Sequence, residues 1–131
     1  MTFRSTVLAS SLVVAALAFA TQASAACTYP KAPEKFPDGS KATKEEMLAG
    51  AATMRAYNDL IKQYSDCLKD EHDAAIAKID PKLDDAKQKK AKDDLEKVWE
   101  QKNDAAVDEA ATVTGRFNEQ IKAYNAAHKA N

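Results

Sequence analysis

The sequence predicts an all-α fold, in which a signal peptide precedes an extended proline-containing segment and a long antiparallel two-helix hairpin of the coiled-coil type. Helix breakers are few, Gly 3 and Pro 4 in 131 residues, whereas charged residues make up 30%. Apolar residues recur every seven positions along two long stretches, which is the coiled-coil period. A single Asp80-Pro81 step separates the two stretches and predicts the turn of the hairpin.

Residues 1–25 have the three parts of a secretory signal peptide. Arg4 supplies the positive start, residues 7–20 are an uncharged apolar run, and Ala23-Ser24-Ala25 fits the small-x-small cleavage pattern. A membrane anchor is the alternative, but the apolar run is shorter than the ~20 residues that cross a bilayer. We therefore expect a periplasmic or secreted protein that has no stable membrane insertion after the leader is cleaved.

The charge of the remaining chain is close to balanced. Removal of residues 1–25 takes away Arg4 and no acid, which leaves 18 Lys and Arg against 20 Asp and Glu, a net charge of 18 − 20 = −2. A mixed, mildly acidic surface does not attract nucleic acid or anionic lipid. Nucleic acid is thus not an expected partner.

An extended segment is expected over residues 26–42, because prolines block helix formation there. A turn is expected at Asp38-Gly39. The prolines are Pro30, Pro33 and Pro37. The next residues contain a capping box, in which Thr43 and Glu46 satisfy each other's backbone N–H groups at the start of a helix.

The helical hairpin is predicted over residues 43–131, with helices at about 44–79 and 81–127. In the first helix the heptad positions are Met47, Met54, Ile61, Leu68 and Ala75. In the second, Trp99, Ala106 and Val113 have the same spacing. A tight turn at Asp80 places Ile61 level with Trp99, Met54 level with Ala106, and Met47 level with Val113.

The two predicted helices have unequal lengths. Residues 82–97 are dense in opposite charges at i,i+4 spacing, which is typical of a solvated helix at the outer end of a hairpin. Beyond about Arg116 the second helix has no helical partner, yet Phe117, Ile121 and Tyr124 continue its apolar face. Either the proline segment or another molecule covers this face, which makes it the candidate interaction face.

The two cysteines, Cys27 and Cys67, predict a disulfide bond, because an exported chain with an even cysteine count is usually disulfide-bonded. An extended segment from Cys27 to Thr43 is long enough to fold back along the first helix to Cys67. Two free thiols are one alternative. Lipidation of Cys27 is another, although the expected Leu-like residue three positions earlier is missing. No C-x-x-C redox motif is present.

Catalytic, cofactor-binding and metal sites are not expected. His72 has no second metal ligand at i±3 or i±4, so we expect it to face solvent, and His128 lies near the chain end. The acid pairs Asp84-Asp85 and Asp93-Asp94 are flanked by lysines, which disfavours acid–base catalysis. Neither Ser40 nor Ser65 has a nearby histidine base. Asn103 lies on the predicted seam, where a polar residue can fix the helix register.

The chain resembles a set of small, largely uncharacterised exported helical-hairpin proteins of Gram-negative bacteria. The motifs that carry the resemblance are the leader with the first mature Cys, Pro30-Lys31-Ala32-Pro33, Pro37-Asp38-Gly39-Ser40, Glu46-Met47, Tyr64-Ser65-Asp66-Cys67, 103–109 and Arg116-Phe117-Asn118. The resemblance implies an envelope or secreted location and no known activity. A looser comparison is with periplasmic helical chaperones, whose Leu-Thr-x-x-Gln repeat is absent here.

These observations predict a non-enzymatic exported protein that acts by protein–protein contact in the cell envelope, with a protein partner or a second copy of itself. A periplasmic holdase-type chaperone is the alternative prediction. A metal-binding or enzymatic role is the last alternative, and the residues disfavour it.

Overall fold

A computed structural model describes residues 26–129 of the chain, and the predicted signal peptide lies outside this range. Two long helices are present, α1 over Lys44–Ile76 and α2 over Asp85–His128. They pack against each other as a hairpin, and residues 26–129 contain no strand. The predicted all-helical, two-helix hairpin is confirmed. Residues 26–42 have no regular secondary structure apart from a turn at 39–41, and we call this segment the strap.

The start of α1 is fixed by its capping box, as predicted. The Glu46 backbone N–H donates to Thr43 Oγ1 at 3.2 Å, and the Thr43 N–H donates to Glu46 Oε2 at 2.7 Å. Two N–H groups that the helix cannot satisfy are thereby paired. The strap therefore passes directly into α1 through the N-cap residue Thr43.

The link between the helices differs from the predicted tight turn. Asp80 and Pro81 begin a turn closed by the Leu83 N–H to the Asp80 carbonyl at 3.2 Å, rather than the first turn of a helix. The N-cap of α2 is instead Asp84, whose side chain accepts from the Lys87 N–H at 2.9 Å. The predicted helix bounds at 79 and 81 were therefore wrong, and a connection over residues 77–84 replaces them.

The longer connection changes the register of the hairpin. Gly50 is packed against the ring of Phe117, whereas the predicted register places it level with Ala110, one heptad earlier. His72 is likewise level with Glu96 and Trp99. Because a heptad shift preserves the apolar face, the predicted core positions are still used, but with different partners.

The core is a single seam along the hairpin. Buried positions on α1 fall at heptad spacing, and the strap adds Ala42 to them. The buried apolar residues are Ala42, Met47, Met54, Tyr57, Ile61, Tyr64, Leu68, Ala106, Val113 and Phe117. Within the described residues, neither helix has a stretch long and apolar enough to cross a membrane.

The unpartnered part of α2 lies at the opposite end from the prediction. Ala75, close to the end of α1, faces Leu95, so the first turns of α2 extend beyond α1. The connection folds back onto these turns, where the Gln88 amide donates to the carbonyls of Pro81 and Leu83. The C-terminal turns of α2 are, by contrast, level with the start of α1, so the predicted overhang beyond Arg116 is wrong.

Candidate functional site

The strap is attached to the hairpin at its N-terminal end by a disulfide bond. Cys27 and Cys67 are bonded, with their Cα atoms 5.8 Å apart. The Cys27 backbone N–H also donates to Glu71 Oε1 at 3.0 Å. In residues 26–129 the only group with metal-ligand spacing is Cys27, Cys67 and Glu71. Because both sulfurs are in the disulfide, they are not thiolate ligands, and this group explains the strap's attachment rather than a metal centre.

Tyr29 forms the next contact along the strap. Its ring packs edge-on against Tyr64 with centroids 5.1 Å apart, and its hydroxyl donates to Glu109 Oε2 at 2.5 Å. This hydrogen bond, followed by burial and the Glu109 charge, raises the pKa of Tyr29 to about 12. Burial, and then the same carboxylate, also raises the pKa of Tyr57, whose hydroxyl has no hydrogen-bond partner among the described residues. The strap is thus linked to α2 as well as to α1.

The C-terminal half of the strap covers the candidate interaction face. The ring of Phe36 lies 5.2 Å from that of Phe117, and the Arg116 guanidinium lies 5.6 Å from the Phe36 centroid. Nearby, the Gly39 N–H donates to Gln120 Oε1 at 2.9 Å. A Cβ at Gly39 would clash with the Gln120 backbone carbonyl, so this close approach requires glycine.

The burial of Phe117 changes the prediction made for Phe117, Ile121 and Tyr124. Phe117 is 5% exposed, because Phe36 of the strap and Gly50 of α1 pack on its ring, and Tyr124 is half-buried against the core. Ile121 remains 37% exposed. A partner is thus not needed to cover the first two side chains, and Ile121 alone of the three remains on the surface.

The opposite side of the helix seam has no strap. On α2 the strap contacts include Ala105, and Val107 lies two positions further on, about 200° around the helix. On α1 Ser65 is related in the same way to Cys67. We call this side the open face, and by helical periodicity it consists of Ala51, Asn58 and Ser65 of α1 and Asn103, Val107, Ala110, Thr114 and Ile121 of α2.

The open face combines small residues on the seam with exposed apolar side chains. Ala51 and Ala110 pack against the core but are only half-buried, and Ser65 is half-buried as well. Val107 is 49% exposed, and it lies two heptads from Ile121 on the same helix. Small seam residues allow a third helix to approach closely, and flanking apolar side chains would be buried by it.

His72 does not face solvent as predicted, because the register brings α2 across it. Its side chain is 16% exposed, its ring centroid lies 6.0 Å from that of Trp99, and Nε2 lies 3.1 Å from Glu96 Oε2. That contact has the distance of an ion pair but not the alignment of a hydrogen bond, so Nε2 has no hydrogen-bond acceptor in the described residues. His72 therefore helps to close the hairpin near the connection.

The other sequence candidates have local structural roles. Asp84 caps α2, and the hydrogen bonds from Lys87 lower the pKa of that carboxyl. Asp93 and Asp94 pair with Lys89 and Lys90 at 2.6 Å, as the i,i+4 spacing predicts. The remaining contacts involve Ser40, whose hydroxyl bonds to Asp38, and His128, whose ring stacks on Tyr124.

Comparison with protein-family models, with curated proteins and with solved structures finds no match for this chain. Sequence reasoning missed Glu71 and Glu109, the two carboxylates that bind the strap. Both look like ordinary surface acids of an amphipathic helix, and only the path of the strap distinguishes them.

Proposed function

We propose that this chain is a non-enzymatic protein, exported to the periplasm or secreted, that acts by protein–protein contact through the open face. The observation that carries the proposal is the asymmetry of the helix seam, which is covered by the strap on one side and by no other segment of residues 26–129 on the other. The disulfide supports the location, because such bonds are typical of proteins outside the reducing cytosol. Residues 1–25, with the features of a leader, support it further.

The partner that fits the open face is an amphipathic helix, contributed by another envelope protein or by a second copy of this chain. A helix placed over the seam would contact both α1 and α2 and would bury Val107 and Ile121. The small side chains of Ala51, Ser65 and Ala110 leave room for its backbone to approach. The proposed contact surface is thus not the strap-covered side chain of Phe117. It is the side of α2 on which Ile121 lies.

A double variant on the open face tests this proposal. Val107→Ser with Ile121→Ser removes the exposed apolar groups without touching the core, so the melting temperature should hardly change. We expect the variant to lose a crosslinked partner that the wild-type protein captures in the native envelope, or to become monomeric by light scattering if the partner is a second copy. Leu83→Ser is the matched control, since Leu83 is also 37% exposed but lies in the connection. Retention of every partner and of the oligomeric state by the double variant would overturn the proposal.

A holdase-type chaperone is the second candidate, and the length of the open face favours it. Val107 and Ile121 expose apolar surface over two heptads of α2, which is a surface that an unfolded client could contact. If this function is correct, the purified protein suppresses aggregation of an unfolding client at stoichiometric ratio, and the double variant does not. A protein without any such effect is not a holdase.

A further inference from the structure

On the strap side, an apolar cleft continues the line of the strap beyond Cys27. Its volume is about 160 Å³, and it lies between the end of α1 and the first half of α2. Its apolar walls are Leu68, Ala75, Leu95, Val98 and Trp99. A cavity of ~150 Å³ holds a molecule the size of benzene, so this cleft suits one small apolar group rather than a cofactor.

The cleft carries one acid and one base, on different helices. Glu71 of α1 and Lys102 of α2 both line it, and neither has an ion-pair partner among residues 26–129, including each other. Within residues 26–129, the Glu71 carboxylate accepts a single hydrogen bond, at Oε1 from the Cys27 N–H, which leaves Oε2 available. An unpaired carboxylate and an unpaired ammonium at one apolar cleft are complementary to a small zwitterion.

His72 is the remaining titratable residue of the cleft, and its ring nitrogens are directed elsewhere. Nδ1 lies 3.4 Å from Asp73 Oδ1, and Nε2 lies 3.1 Å from Glu96 Oε2. Its ring is thus a wall beside Trp99 rather than a charged partner for a ligand. Among the side chains that line the cleft, Glu71 and Lys102 are therefore the two charges that a ligand would meet. The α-ammonium of a mature chain that begins at Ala26 would lie one residue from the Cys27 N–H that Glu71 binds.

We propose that this cleft binds a free α-amino acid with an apolar side chain. The side chain would enter the apolar walls, the α-ammonium would contact Glu71 and the α-carboxylate would contact Lys102. A four-carbon side chain and two largely solvent-exposed ion pairs, offset by the entropy lost on association, correspond to a dissociation constant of about 1 mM or weaker. The cleft lies on the strap side of the seam, so this binding is independent of the protein contact at the open face.

Trp99 makes the proposal directly measurable, because it is the only tryptophan of the chain and lines the cleft. We would titrate the mature, oxidised protein with leucine, isopentylamine and 4-methylpentanoate while following Trp99 fluorescence. The three probes share the same apolar group. Leucine carries both charges, isopentylamine only the ammonium, and 4-methylpentanoate only the carboxylate. We expect leucine to bind most tightly, each analogue to bind about threefold or more weakly, and glycine, which has no apolar group, to leave the fluorescence unchanged.

Two variants assign the charges to their residues. Glu71→Gln, whose amide oxygen can still accept from Cys27, should bind leucine only as tightly as the wild type binds 4-methylpentanoate. Lys102→Gln should bind leucine only as tightly as the wild type binds isopentylamine. Asp70→Asn and Lys97→Gln are matched neighbours outside the cleft and should bind leucine as the wild type does; unchanged melting temperatures would show that all variants fold. Equal affinity for the three probes, or no fluorescence change with leucine at tens of millimolar, would overturn the proposal.

Discussion

At the scale of single residues, a few close contacts determine where the strap lies. Tyr29 reaches Glu109 on α2 while its ring packs on Tyr64 of α1, so one side chain ties the strap to both helices. Gly50 contributes by having no side chain, which leaves space for the ring of Phe117. Each contact has a measurable consequence.

The Tyr29–Glu109 hydrogen bond should appear in a tyrosine titration. The pKa of Tyr29 is raised to about 12, whereas that of an unfolded tyrosine is about 10. The interaction therefore stabilises the fold fully below about pH 10, and this stabilisation is lost as the pH rises through about 12. Near-ultraviolet absorbance of tyrosinate should show Tyr29 ionising near pH 12, and Glu109→Gln should bring Tyr29 back toward the ordinary value. Tyr57, whose pKa is raised mainly by burial, should still ionise late in that variant.

The control for this titration is Tyr29→Phe, which should remove the transition near pH 12 while leaving the late ionisation of Tyr57 and the other transitions in place. Glu119→Gln, on the same helix but without a contact to Tyr29, should leave the curve unchanged. If the titration curve of the Glu109→Gln variant were identical to that of the wild type, the hydrogen bond would be contradicted.

Two glycines on the helices should respond oppositely to the same substitution. At Gly50 a Cβ would lie 2.8 Å from the Phe117 ring and 3.2 Å from Pro37, so Gly50→Ala should lower the free energy of unfolding by about 1 kcal/mol or more. At Gly115 a Cβ would have nothing within 4 Å, so Gly115→Ala should raise it by about 1 kcal/mol through helix propensity. Urea unfolding followed by circular dichroism measures both. Stabilisation by Gly50→Ala would contradict the observed register.

At the scale of elements, the sequence was informative about the helices and less so about their alignment. The heptads and the Thr43 capping box identify α1, because these signals are local. The start of α2 was mistaken because Asp80 and Asp84 are both good capping residues, and Pro81 suits a turn as well as a helix start. The predicted register of the hairpin was wrong for the same reason, since the apolar heptads of the two helices pair equally well after a shift of seven residues.

The disulfide should stabilise the strap more than the hairpin. Closing a loop between residues 40 apart contributes about 4 kcal/mol in the chain-entropy model. Cys27→Ser with Cys67→Ser should therefore lower the free energy of unfolding by a few kcal/mol while far-ultraviolet circular dichroism still reports helix. Release of the strap should also expose Phe117 and increase the binding of an apolar dye. A Cys27→Ser and Cys67→Ser variant as stable as the oxidised wild type would contradict the attachment of the strap.

At the scale of the whole molecule, the hairpin has two different sides. On one side, the strap packs over the seam between the two helices and adds a third segment to the core. On the open face, no other segment of residues 26–129 covers the seam. Sequence reasoning predicted the pairing of Cys27 with Cys67. For Phe117, Ile121 and Tyr124 it left open whether the strap or another molecule covers them, because it could not assign the path of the strap. That path depends on Glu71, Glu109 and Gln120, whose side chains have no local signal for binding a segment distant in sequence.

The most direct test of this two-sided account is photo-crosslinking in the native envelope from two neighbouring positions of α2. A photoreactive residue at Ala105 faces the strap, whereas one at Val107 lies on the open face, and both positions are exposed. We predict that the Val107 position gives products with another polypeptide chain and that the Ala105 position gives products within the chain, to the strap near Tyr29. Intermolecular products from Ala105 with none from Val107 would contradict the account.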